Sequence, residues 1–140
     1  GRRINDGMGA FVATQTVRLM AAKKINPVGA KVLILGLAFK ENCPDVRNTR
    51  VVDIIDSLAE YHAQVDVYDP WVNADEAEHE YAIRPISQPE LGSYDATIIA
   101  VAHHQFKTLG ATGIRAFGKP HSIIYDVKHI LPRAAVDGRL

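Results

Sequence analysis

Lys40, Arg47 and Arg50 stand in a stretch that opens on Gly36, directly after the apolar run Val32-Leu33-Ile34-Leu35. A strand, then a glycine-started loop bearing cations, then a helix is how a nucleotide-binding α/β domain holds phosphate. Lys128, after a later apolar run, offers a further cation at the same sheet edge. The chemistry these residues can do is anion binding, and a diphosphate suits it. The loop is longer and more charged than the dinucleotide fingerprint and lacks G-x-G-x-x-G, so its spacing does not support NAD as the ligand. For Arg47 and Arg50 a second reading stands beside the first: surface charges, or pairs with Asp45 and Asp53.

Other residues invite chemistry and are weighed against plainer roles. Cys43 lies in the loop between Asn42 and Pro44, with no histidine beside it in sequence, and is read as a packing residue rather than a nucleophile. His103 and His104 alternate in direction on an extended chain and have no third ligand suitably spaced, so they are read as loop residues near the ligand and not as a metal site. Asp69 ends the second apolar strand, where a dinucleotide fold places its ribose-binding acid. Without the glycine fingerprint, Asp69-Pro70 reads as a turn. Trp71 either covers the cleft or meets another domain.

These residues need a scaffold. Met8, Phe11, Val12, Leu19 and Met20 fall on one helical face, which predicts a helix over positions 5 to 24, stopped by Asn26-Pro27-Val28-Gly29. Strands are predicted at 31–35, 64–68, 96–101 and 122–126. Helices are predicted from Val51, Ile54, Ile55 and Leu58, with Asn48 or Thr49 as cap; across the acidic stretch 74–81; and, short, around Ile114 and Phe117 between Gly110 and Gly118. Residues 83–86 are read as a short edge segment, weakened by Pro85, which lacks an amide donor. The alternation predicts a parallel sheet with helices on both faces, Rossmann-like, preceded by a long N-terminal helix. Four segments then meet beyond the carboxyl ends of the strands: residues 36–50, 69–71, 102–106 and 126–129.

The 140 residues, 47% apolar and 23% charged, are enough for one domain with its own core. The 16 basic and 16 acidic residues cancel, which points to neither a nucleic-acid nor a membrane surface. No apolar run approaches the ~20 residues of a membrane span. The single cysteine allows no internal disulfide and fits a reducing compartment, hence a cytoplasmic protein. A start at Gly1-Arg2-Arg3 rather than Met reads as a piece of a longer protein, with Arg2 and Arg3 facing solvent or an absent domain.

The stretch Gly36-Leu-Ala-Phe-Lys-Glu-Asn-Cys-Pro-Asp-Val-Arg-Asn-Thr-Arg50 resembles the C-terminal domain signature of the UDP-glucose/GDP-mannose dehydrogenase family. Gly1-Arg-Arg-Ile-Asn-Asp6, Tyr68-Asp-Pro-Trp71 and Tyr125-Asp-Val-Lys128 fall where that family has similar motifs. The Glu41-Asn42-Cys43-Pro44-Asp45 variant is most similar to UDP-N-acetylhexosamine 6-dehydrogenases of bacterial surface-polysaccharide pathways. The resemblance implies a homodimeric enzyme in three parts: an N-terminal Rossmann domain for NAD, a central helical part with the catalytic cysteine, and a C-terminal UDP-binding domain. Residues 1–28 would then continue a helix from the central part, and 29–140 would be the UDP-binding domain. By the same resemblance Lys40 contacts the UDP-sugar, Phe39 neighbours it, and Lys128 stands where several members have a substrate-binding arginine. It places no catalytic residue and no NAD-binding residue in this chain. Two other readings remain: a free-standing nucleotide-binding module for NAD or CoA, and an interaction domain that assembles through its sheet edge.

Overall fold

The computed structural model of the chain describes the backbone of residues 2–140 and the side chains of residues 7–140; Gly1 and the side chains of Arg2 and Arg3 lie outside the described residues. A first helix, α1 (Arg2–Ala22), leads into the alternating part. There β1 (Lys31–Leu35), α2 (Val51–Glu60), β2 (Gln64–Tyr68), α3 (Ala74–Tyr81), β3 (Tyr94–Ile99), α4 (His104–Arg115) and β4 (Gly118–Asp126) follow, with a two-residue β5 (Gly138–Arg139) near the end. The five strands form one sheet in the order β2-β1-β3-β4-β5, all neighbours parallel. The strand order reverses direction between β1 and β3. That switch point is where open doubly wound sheets take their ligands.

Both faces of the sheet are covered, which is why β1 reads as an unbroken apolar run rather than an alternating one. Val32, Ile34, Ala96, Ile98 and Ile123 pack on one face with Val12 and Met20 of α1 and Val51, Ile54 and Leu58 of α2. Leu33, Leu35, Ile99 and Ile124 pack on the other with Phe106 and Ile114 of α4. Helices on both faces are thus as expected. α1 and α2 approach closely through Gly9, where a Cβ would lie 2.4 Å from the Cβ of Asp53.

Two local readings need correction, and one short strand was not foreseen. The helix around Ile114 begins after Gly110 as expected, but a helical stretch from His104 precedes it, so the segment 102–106, read as a loop, carries the start of α4. Gly110, at φ 65° and ψ −174°, kinks α4 and hides its continuity in the sequence pattern. Residues 83–86 do not form a strand; only the Ile86 amide bonds to the sheet, donating to the Val67 carbonyl at 2.8 Å. β5 has no apolar signature, and its backbone pairing with Tyr125 and Asp126 is a tertiary event.

Candidate nucleotide-binding crevice

Gly36 ends β1 and turns the chain out of the sheet. Its φ is +104°, and a Cβ there would lie 2.5 Å from the Cβ of Val101. Only glycine combines that conformation with that approach. The chain then runs through Leu37 and Ala38, both buried, to Phe39 and Lys40, both exposed. It returns past Val46, which is buried and whose carbonyl accepts from the Tyr81 hydroxyl at 2.5 Å. Thr49 closes the loop: its Oγ1 accepts from the Val51 amide at 3.2 Å at the start of α2. Neither expected cap holds the N-cap position, which is Arg50 and has no side-chain cap bond; Thr49 stands one residue before it and Asn48 adopts φ 63°.

A crevice of about 130 Å³ opens at the switch point. Phe39 and Lys40 line it from the β1 loop, Thr49, Arg50, Val51 and Ile54 from the start of α2, Ala100 and Val101 from the end of β3, Val127 and Lys128 from the end of β4, and Met8 from α1. Lys40 and Arg50, from the two ends of the β1–α2 connection, and Lys128, from the segment after β4, therefore converge onto one apolar floor. Among the described residues, neither lysine has an ion-pair partner, whereas Arg50 pairs with Asp53 at 3.1 Å. Phe39 is 54% exposed and offers an aromatic face beside these cations. The amides opening α2 add a favourable end of the helix dipole for an anion. Ligand pockets usually enclose 300–1,000 Å³, so this crevice is smaller than one that encloses a nucleotide by itself.

The loop after β4 is shaped by Asp126, which is fully buried. Its two carboxylate oxygens accept from the amides of Lys128 at 3.1 Å and Leu131 at 2.9 Å. His129 follows at φ 59°. The only local sequence signal for this turn is the aspartate itself, two residues before Lys128 at a strand end.

Arg47 does not join the cluster. It bonds to Asp45, Nε to Oδ1 at 3.1 Å, and lies against Cys43, Pro44 and Glu76 in a separate shallow concavity. Hydrogen bonding by the Arg47 side chain and amide holds the Asp45 carboxyl below its ordinary pKa. Cys43 is in the same place, away from the cations. Among the described residues no group of three or more His, Cys, Asp and Glu is placed to hold a metal.

Asp69 both makes the expected turn and does more. It is buried, and its Oδ1 accepts from the Trp71 amide at 2.8 Å. Its Oδ2 accepts from the amides of Leu37 at 2.7 Å and Ala38 at 2.9 Å and lies 2.9 Å from Nε2 of His103. Burial works to raise its pKa, but the His103 side chain and the two amides outweigh it and hold the carboxyl below the ordinary range. With its side chain fully buried and both oxygens bonded within the protein, Asp69 serves the fold of this sheet edge. Trp71 faces the α4 start, its Nε1 donating to Gln105 Oε1 at 3.0 Å. A larger, shallow concavity of about 810 Å³ runs along the end of β2. Its arginine, Arg84, is held by Asp75 at 2.8 Å and Glu78 at 3.0 Å, which makes it a poor anion site.

The sheet order defines an open doubly wound α/β domain with a cationic crevice at its switch point. Residues 33–133 match the UDP-glucose/GDP-mannose dehydrogenase family, UDP binding domain, and the chain belongs to that family. It is 55% identical over all its 140 residues to a UDP-N-acetyl-D-glucosamine 6-dehydrogenase of Pseudomonas aeruginosa, and 50% identical to one of Salmonella typhi. The chain spans about a third (33%) of the length of each. Among solved structures, a UDP-D-ManNAc dehydrogenase of Pyrococcus horikoshii matches 99% of the chain at 28% identity with a TM-score of 0.79. The match covers 31% of that protein.

Proposed function

We propose that the chain is the UDP-binding part of an NAD-dependent UDP-N-acetylhexosamine 6-dehydrogenase, and that the crevice holds the UDP moiety. The observation that carries this reading is the convergence of Lys40, Arg50 and Lys128 on one apolar-floored crevice at the switch point, with Phe39 at its rim. The lysines and Arg50 offset the diphosphate charge, and Phe39 packs against a ring of the ligand. Lys128 supplies charge without the two-pronged geometry of an arginine. The whole enzyme oxidises the C6 alcohol of the sugar to a carboxylate in polysaccharide precursor synthesis, in the cytoplasm, as a homodimer. NAD and the nucleophilic cysteine belong to parts outside these residues, with α1 continuing from the central part. The names of the 50–55% identical relatives support N-acetylglucosamine as the sugar.

Titration of the ¹⁵N-labelled chain with UDP, and separately with NAD, tests the reading. UDP is expected to shift amides of residues 36–50 and 126–129. Tighter binding of NAD than of UDP would replace this reading by that of a dinucleotide module.

A further inference from the structure

We infer that His103 is a positioning residue for the crevice: it seats the loop that carries Phe39 and Lys40, and does so as a neutral ring protonated on Nε2. The inference rests on the crevice being the UDP site, since it concerns how that site is held.

His103 is 0% exposed and touches no crevice residue directly through a hydrogen bond. Its Nδ1 accepts from the Asn42 amide at 2.9 Å, and its Nε2 lies 2.9 Å from Asp69 Oδ2. That same carboxylate oxygen receives the amides of Leu37 and Ala38. One buried Asp–His pair therefore holds the loop on both sides of Phe39 and Lys40: at 37–38 through the carboxylate and at 42 through the imidazole. Asn42 sits at φ 54°, a left-handed turn that asparagine accepts readily.

The tautomer follows from the donors. A backbone amide can only donate, so Nδ1 must present a lone pair. The remaining ring proton is on Nε2, aimed at Asp69. A proton on Nδ1 would oppose two N–H groups and release Asn42. The ring is held edge and face by Phe106, with centroids 5.5 Å apart, and Trp71, at 6.2 Å. Among the described residues, the titratable groups in its surroundings are Asp69 from the end of β2 and His104 from α4, whose Nδ1 is 3.1 Å from Asn42 Oδ1. His104 thus grips the same loop residue from its exposed side. No nearby element of this network supplies a catalytic group; its consequence is the place of Lys40.

The test uses the 140-residue chain, with UDP-N-acetylglucosamine as probe, and the variants His103→Leu and His103→Gln. Glutamine can donate to Asp69 and accept from Asn42; leucine can do neither. In the wild type, ring ¹⁵N shifts are expected to show Nε2 protonated and Nδ1 bare. His103→Leu is expected to abolish protection of the Asn42 amide from hydrogen exchange and to weaken probe binding about tenfold, with His103→Gln within about threefold of wild type. The loss should vanish when Lys40→Ala is already present, because the two act as one unit. A lower melting temperature with unchanged affinity, or an equal loss in the Lys40→Ala background, would overturn the proposal. If His103→Leu does not fold, His103→Asn serves, since its short amide cannot span both partners. If the wild type shows no probe binding while the Asn42 amide still depends on His103, the UDP-site reading fails and the loop anchor stands.

Discussion

Lys40 and Lys128 reach the crevice from different strands, and each is exposed with no carboxylate to neutralise it among the described residues. A cation left unpaired beside an apolar floor is best used on a ligand. In a full-length dehydrogenase carrying this domain, Lys40→Ala is expected to cost about 2–4 kcal/mol in kcat/KM, the size of a lost charge-assisted contact. NAD affinity should hardly change; steady-state kinetics with both substrates varied will show it, and wild-type kinetics would remove Lys40 from the site. Arg47 is satisfied by Asp45 on another surface, so Arg47→Ala should leave UDP affinity within about twofold, a shift of ~0.4 kcal/mol. Cys43 shares that surface. Cys43→Ser should keep turnover within about tenfold, ~1.4 kcal/mol; a loss of several orders of magnitude in a folded protein would mean the nucleophile has been misplaced.

At the scale of elements, the first strand-to-loop turn is where the fold is least tolerant. Gly36 needs φ +104° and brings the backbone against Val101. Gly36→Ala combines a strained conformation with overpacking and should destabilise the chain by about 3 kcal/mol or more. Thermal melting will report it, and a change under 1 kcal/mol would contradict the geometry. Gly36 was visible in the sequence as a strand end; the approach of Val101, far along the chain, was not. Asp69 makes a second prediction. Its carboxyl pKa is lowered in the folded chain, so the unfolded chain binds the extra proton first as the pH falls. Its contribution is complete above the unfolded value of about 3.9 and is lost below that, as the pH descends through the folded value. Asp69→Asn should be less stable at neutral pH and show a shallower loss in acid. Denaturant titrations from pH 6 to pH 2.5 will compare the two slopes; parallel slopes would assign the acid limb to other carboxylates.

For the whole molecule, two packed sheet faces support a ligand-binding wall, and the crevice is too small to enclose a nucleotide sugar. The 140-residue chain should therefore bind UDP or a UDP-sugar with a Kd in the high-micromolar to millimolar range, about −4 to −5.5 kcal/mol, and NAD more weakly. No NADH should form with any UDP-sugar, as followed at 340 nm; turnover by this chain alone would place a nucleophile within it. The sequence by itself determined the alternation of strands and helices, because apolar period and glycine breaks are local properties of the chain. It also determined that cations follow the first strand, since that is a matter of adjacency. Which cations meet was decided only by the tertiary structure. Lys128 is aimed by the buried Asp126, Arg50 arrives with the start of α2, and Arg47, three residues earlier, is turned to another surface. The Asp69–His103 pair was likewise invisible, because its members follow β2 and β3, which flank β1 in the sheet but are far apart along the chain, and burial and hydrogen-bond direction arise only when the segments after those strands pack.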